Sequence, residues 1–312
     1  MRITRDNIYN QFVPGIEPRA CCPSGERVTF ETLDALFGMG REIFFQAGKY
    51  PAGFSHVRAN PGTGPLWVEG ALPGDVLEVL IHDIRCEGKG FFILPNSGPA
   101  GPGTIGGREF VEFEALESGE LLEVRSGRRF PASPMIGVIG TASIGERPWF
   151  TTECGDHGGN MDNNAICAGA CVYLPVFTEG GLLGIGDVHA AMGDGEVFGQ
   201  GVEICAEVDV TVTVRKDMNI KRPFVLTDNA VSAAAAALTM EEASRLCVED
   251  MRVILENHYG LTSLDAAMAI ALFGDLKVCQ IVNAQKSMRM ELPLKKLSRF
   301  FREPVQCCEN AI

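Results

Sequence analysis

The segment EICAEVDVTVTV, residues 203–214, alternates with strict period two. Ile204, Ala206, Val208, Val210, Val212 and Val214 fall on one face, and Glu203, Cys205, Glu207, Asp209, Thr211 and Thr213 on the other. Successive side chains of an extended chain point to opposite faces, so this pattern predicts a half-buried strand of an antiparallel sheet. Working outward, the first two-thirds of the chain is rich in Gly and Pro and poor in helical period. Short apolar runs recur between turn signals: LWVEGA before Pro73-Gly74-Asp75, then VLEVLIHDI, PMIGVIGTA and CVYLPVF (171–177), with VCQIVNA and SMRMELPL near the end. Many short strands with such punctuation predict a sandwich or barrel.

Helices are few and late. Residues 240–257 place Ala243, Leu246, Cys247, Met251, Ile254 and Leu255 at helical spacing. Thr239 with Glu242 makes a capping-box pattern, and Gly260 is placed to end the run. A second helix is expected over 264–273, with Ser263 as its cap and Gly274 as its stop. The Ala-rich VSAAAAAL (231–238) reads equally as a helix start or a closely packed core segment. The expectation is one domain over 1–312, with a β-rich part over about 1–225 and an α/β part carrying the two late helices over about 226–312.

Composition bounds the function. The chain has 312 residues, 46% of them hydrophobic, ample for a sizeable core. A net charge of −13 argues against a nucleic-acid partner, which needs a basic face. With no basic run and no stretch of roughly 18 apolar residues, no membrane contact is expected. MRITRDNIYNQFVPG has no apolar core of a secretory signal. The eleven cysteines are scattered, odd in number and without C-x-x-C, which reads as free thiols in a reducing cytoplasm.

Two Gly-rich stretches carry the chemistry. GIGDVHAAMGDGEVFGQG (184–201) holds Asp187, His189, Asp194 and Glu196. In a strand, Asp187 and His189 share a face, which suits half a metal site or an acid–base pair. ECGDHGGNMDNN (153–164) holds Asp156, His157, Asn160 and Asp162 in a stretch that reads as a loop. Each stretch alone is also explained by a polar turn. His56, in the turn-like PAGFSHVRANPGTGP, and His82, which alternation turns inward, are weaker candidates, and His258 closes a helix. Cys154 invites a thiol-nucleophile reading. GPAGPGTIGG (98–107) lacks the Lys of a phosphate loop and reads as an irregular loop over the site. The inventory of carboxylates and imidazoles suits a metal-assisted hydrolase.

Three stretches resemble the acetamidase/formamidase family of amide hydrolases: GPLWVEGALPGDVLEV (64–79), GGNMD (158–162) and GDVHAAMGDGE (186–196). The resemblance runs over roughly residues 20 to 295. It implies a mainly β, jelly-roll-like sandwich with a small α/β part. It also implies hydrolysis of a short aliphatic amide (acetamide or formamide) to carboxylate and ammonia by a cytoplasmic homo-oligomer, a dimer being favoured. A divalent cation, zinc ahead of calcium, is implied with it. Asn160, Asp162, Asp187, His189, Asp194 and Glu196 fall on the family's motif positions; CGDHGG departs from its pattern. The resulting assignment has Asp187, His189 and Asp162 as metal ligands, and Glu196, Asp194 and His157 as catalytic groups. Asn160, Gly159 and His56 are substrate contacts. Glu196 is the expected general base toward water and then general acid toward the leaving nitrogen. The alternatives are a metal-dependent hydrolase of another small amide or ureido compound, and a non-catalytic small-molecule or metal-binding jelly-roll module.

Overall fold

The strand predicted from 203–214 forms as Glu203–Arg215 and lies between two antiparallel partners, Glu26–Thr32 and the long Val76–Leu94. The computed structural model describes residues 1–45, 55, 58–94, 109–145 and 147–300. Ile204, Ala206, Val208, Val210 and Val212 are fully buried, as the alternation requires. Each valine and the isoleucine among them contributes about 1.5–3 kcal/mol by leaving water. Beyond Val76–Leu94 the ladder continues through Cys171–Pro175, Phe224–Leu226, Ala230–Ala237, Lys286–Pro293 and Asp275–Gln280, all antiparallel.

The sheet curls so that a second set of strands faces the first. Leu183–His189 pairs with Met135–Gly140 on one side and Gly62–Val68 on the other, and Gly158–Asn160 pairs with the far edge of Met135–Gly140. Leu66, Val68, Ile136, Ile139, Leu183 and Ile185 from these strands meet Val28, Phe30, Val79, Val208 and Val210 in one core. The mainly β, sandwich-like expectation holds, with two short parallel pairs inside an otherwise antiparallel sheet: Arg2–Ile3 on Glu26–Thr32, and Ala20–Cys22 on Gly62–Val68.

The alanine run is a strand, Ala230–Ala237. Its side chains divide with period two. Ala234 and Ala236 join the first core, while Ala233, Ala235 and Ala237 join a second, formed with the helices. Small side chains on that face let helix α2, Met240–Tyr259, lie close against the strand. Val76, Cys171 and Tyr173 also belong to this second core, so it draws on the β-rich part of the chain as well as the last third.

Thr239 caps α2 by accepting the Glu242 N–H at 3.2 Å, and Gly260 ends it at φ 66°, a left-handed value that glycine adopts without strain. Helix α3, Ser263–Phe273, departs from expectation at its start: Thr262, not Ser263, is the cap, its hydroxyl accepting the Asp265 N–H. A cap must precede the first helical residue, and Ser263 is already helical. Two short helices join these, α1, Gly40–Phe45, before Gly62–Val68 and α4, Leu294–Phe300, after the last strand. Among the described residues no helix is long and apolar enough to cross a membrane.

Ala235 is buried between sheet and α2. Ala235→Leu is expected to lower stability by about 1–3 kcal/mol through overpacking. The midpoint of urea unfolding measures it, and an unchanged midpoint would show that the helix does not rest on this strand.

Candidate active site

Met135–Gly140 brings the two Gly-rich stretches together, one on each edge. Ile136 pairs with Val188 and Val138 with Gly186, which sets Gly137 beside Asp187 between them. On its other side its carbonyl accepts the N–H of Met161 at 3.0 Å. A Cβ on Gly137 would lie 2.7 Å from Asp162 Oδ1 and 3.0 Å from Asp187 Oδ2. Its lack of a side chain is therefore what lets two carboxylates approach over one strand.

His189 ends its strand and pairs across the sheet with Glu203, the first residue of Glu203–Arg215. Its Nε2 lies 3.1 Å from Glu203 Oε1 and 3.6 Å from Asp187 Oδ1. The chain leaves Ala190 and returns at Val202, a closure sealed by the Ala190 N–H to Val202 O bond of 2.8 Å. Glu196 is carried on the intervening loop. Gly195 pins this loop to the end of Asp275–Gln280, donating to Cys279 O and accepting from the Ile281 N–H.

Asp162, Asp187, Glu196 and Glu203 thus surround His189, and all five are buried. Ligand atoms of Asp162, His189 and Glu196 lie within 4.8 Å of one another, as do those of Asp187, His189 and Glu203. Asn60 donates to Asp187 Oδ2 at 2.6 Å and leans on Asn160 Oδ1 at 3.4 Å. Both oxygens of Asp162, Oδ1 of Asp187, and Oε2 of Glu196 and of Glu203 have no hydrogen-bond donor.

The electrostatics follow from that crowding. Burial, and then the neighbouring carboxylates, push Asp162, Glu196 and Glu203 well above the usual carboxylate range. Burial alone would depress His189, but Glu203 and Asp187 override it and hold the imidazolium well above its ordinary range. Four carboxyl groups crowd one imidazole, so they cannot all stay ionised together, and three of them hold their protons more tightly than usual. Oxygens without donors, gathered around one imidazole, fit a divalent cation, which a carboxylate and histidine donor set binds well.

A cavity of about 380 Å³ opens on this cluster and is lined by Asn160, Asp187, His189, Glu196 and Glu203. Asp162 lies behind it. The far wall includes Val282 to Gln285, a loop braced by buried Gln280. Gln280 Oε1 accepts the N–H groups of Val282 and Asn283, and its Nε2 donates to Gln285 O.

The predicted site residues separate into two groups. Asn160, Asp162, Asp187, His189 and Glu196 come together. Asp194 does not: it turns away into a bidentate ion pair with Arg289 at 2.7 and 2.9 Å, with Asn164 as a further donor. Burial opposes its charge, but Arg289 and Asn164 hold it below the usual range, so it is poorly suited to proton transfer. His157 packs between Phe12 and Trp149, at ring distances of 5.0 and 5.3 Å, with neither nitrogen hydrogen-bonded. Gly159 faces Glu153 O and His157, not the cavity. Asp156 is exposed beside Arg222. His82 points outward, not inward, and bonds Thr211 Oγ1 at 2.8 Å. Burial drives the Cys154 thiol far above its ordinary range, which removes the thiolate that a nucleophile needs. All nine cysteines among the described residues are free. His56 and the 98–107 loop lie outside the described residues.

Alternation missed Glu203 and assigned it to the solvent face. The register with Val76–Leu94 shifts between Glu203 and Cys205, so the bulge releases Glu203 from that face. Asn60 was missed too; its φ of 53° is unusual for a side-chain-bearing residue.

The pattern describing the Acetamidase/Formamidase family matches residues 133–246, which contain both Gly-rich stretches. The formamidase of Methylophilus methylotrophus is 28% identical over 212 residues, 50% of this chain. That match takes in about half of the relative's length (51%). Among solved structures, the acetamidase of Bacillus halodurans superposes with a TM-score of 0.85 at 36% identity, covering 96% of this chain and 99% of that one. The acetamidase of Yersinia enterocolitica gives 0.83 at 26% identity, with 95% and 92% covered.

Two predictions arise from the packing. Gly137→Ala forces the Asp162 and Asp187 carboxylates apart, and is expected to reduce turnover at least tenfold while costing about 1–3 kcal/mol of stability; undiminished turnover would show that their close approach is not needed. Burial depresses His157 to about 3, so between its ordinary pKa and that value only the unfolded chain takes up the proton. Stability from this group is full above pH ~6.5 and falls by about 2 kcal/mol from pH 7 to pH 5. In His157→Phe that part of the loss should vanish from urea midpoints taken at the two pH values; an identical loss would assign the acid sensitivity elsewhere.

Proposed function

The chain belongs to the acetamidase/formamidase family, and from that premise we propose that it hydrolyses a linear amide to a carboxylate and ammonia at the His189 cluster. The observation that carries this reading is a buried group of four carboxylates around one imidazole, opening on a cavity. Asp187, His189 and Glu203, with Asp162 behind them, would hold a divalent cation; the imidazole in the set favours zinc over calcium, which prefers oxygen ligands alone. Such an ion supplies Lewis-acid polarisation of a carbonyl and a lowered pKa for water.

The chain's own groups do the rest. Glu196 lines the cavity, where Asp162 does not, and with Asp187 and Glu203 assigned to the cation it is the carboxylate left to meet substrate and water. Its raised pKa suits a group that takes a proton from water and then gives it to the departing nitrogen. Ammonia is a poor leaving group as its anion, so that second transfer is the one that most needs a placed acid. Asn160 offers its side-chain amide to the substrate. Burial of the cluster excludes bulk water, which strengthens each of these interactions.

Glu196→Gln keeps the shape and removes the base; kcat for ammonia release should fall by 10²–10⁴-fold while the protein stays folded, with a melting temperature no lower than that of the unaltered protein. Activity close to that of the unaltered protein would remove Glu196 from the chemistry. Elemental analysis should find near-stoichiometric divalent metal, with zinc foremost, and His189→Ala should lose it. Full metal content in that variant would dismiss His189 as a ligand.

A further inference from the structure

The cavity is larger than the smallest amides require. Acetamide has four heavy atoms and displaces on the order of four waters, or ~120 Å³ at ~30 Å³ each. The cavity holds about 380 Å³. Its remaining space is not polar on every side. Leu36, Ile43, Phe91 and Ile93 line it, and the last three are almost fully buried. Phe91 stands cross-strand from Glu203, so this apolar wall begins beside the carboxylates. The wall is also held in place. Gln200 Oε1 accepts the Ile93 N–H at 2.9 Å, the Phe91 ring stacks on Phe110 at 5.5 Å, and Gly40 at the start of the first helix makes way for that ring, which a Cβ there would meet at 2.2 Å.

We propose that the site takes primary amides whose acyl group is an apolar chain of about four to six carbons, the chain lying on Leu36, Ile43, Phe91 and Ile93 while the carboxamide meets the His189 cluster. This rests on the amide-hydrolase reading, in which the nitrogen side departs as ammonia and the acyl side must therefore carry any substituent. Specificity then belongs to the wall and chemistry to the carboxylates. Each methylene that leaves water against the wall is worth about fourfold in binding.

The test is ammonia release by the metal-loaded protein from formamide, acetamide, butanamide and hexanamide. The expected result is a kcat/KM that climbs along the series, at least tenfold higher for hexanamide than for acetamide. A kcat/KM that falls with each added carbon overturns the proposal and leaves amide hydrolysis intact. N-pentylformamide, an isomer of hexanamide with its chain on nitrogen, yields formate and pentylamine instead of ammonia; followed by formate release, it should be the poorer substrate, and if it is the better one the acyl assignment is wrong. Ile43→Val, trimmed by one methyl group, should lower kcat/KM for hexanamide about fourfold relative to acetamide, and Leu36→Trp at least tenfold by filling the cavity. Equal effects on both amides count against the wall. Should no amide be turned over, the hydrolase reading fails by itself. Calorimetric binding then decides the wall, since hexanamide binding no more tightly than acetamide refutes it.

Discussion

The structure is organised around a cluster of buried carboxyl groups for which its own side chains supply too few partners. Asp162, Asp187, Glu196 and Glu203 are buried around His189, and five of their eight oxygens lack a donor. Burying unpaired carboxylates is costly, and a fold that gathers four of them must be held rigidly by everything around. The backbone records that constraint. Of the six described non-glycine residues with positive φ, Asn60, Asp162, Asp187 and Glu196 all lie in this site. Such conformations each cost about 1–3 kcal/mol and persist only where surrounding packing imposes them.

The surroundings that impose them come from both hydrophobic cores. The sandwich supplies Met135–Gly140 as a spine between the two Gly-rich stretches and aligns His189 with Glu203. The helix-backed part closes the site from the other side. Its strand Asp275–Gln280 ends against the Glu196 loop, and Gln280 folds the next turn over the cavity. Asp194 belongs to this closure. Its ion pair with buried Arg289 ties the Glu196 loop to Lys286–Pro293, so an acid that reads as catalytic serves to fix its neighbour two residues on. The alanine strand serves the same end, since its small side chains bring α2 close behind the sheet that carries Arg289.

Division of labour within the cavity follows from this arrangement. Ionisable groups lie at the meeting of three strand ends, while the wall formed by Ile43, Phe91 and Ile93 comes from the first helix and the distal half of the long strand. The carboxylates share one field, so a change in any of them shifts the protonation of the rest.

The sequence alone determined whatever rests on local periodicity or on motif. The 203–214 alternation, the capped helix after Thr239 and the mainly β character were legible because side-chain direction repeats with the backbone period. The motifs GGNMD and GDVHAAMGDGE likewise singled out Asn160, Asp162, Asp187, His189 and Glu196. Only the tertiary structure decided which carboxylates share a space. Glu203 entered the site through a bulge that cancels its periodicity, Asn60 through a left-handed turn, and Gly137 through the absence of atoms. Asp194 left it because Arg289, 95 residues away, competes for its charge. Likewise His157, outwardly a catalytic imidazole, was claimed by Phe12 and Trp149. The physical reason is common to all of these: a buried charge is defined by its neighbours in space, and a linear chain does not state which distant residues those neighbours are.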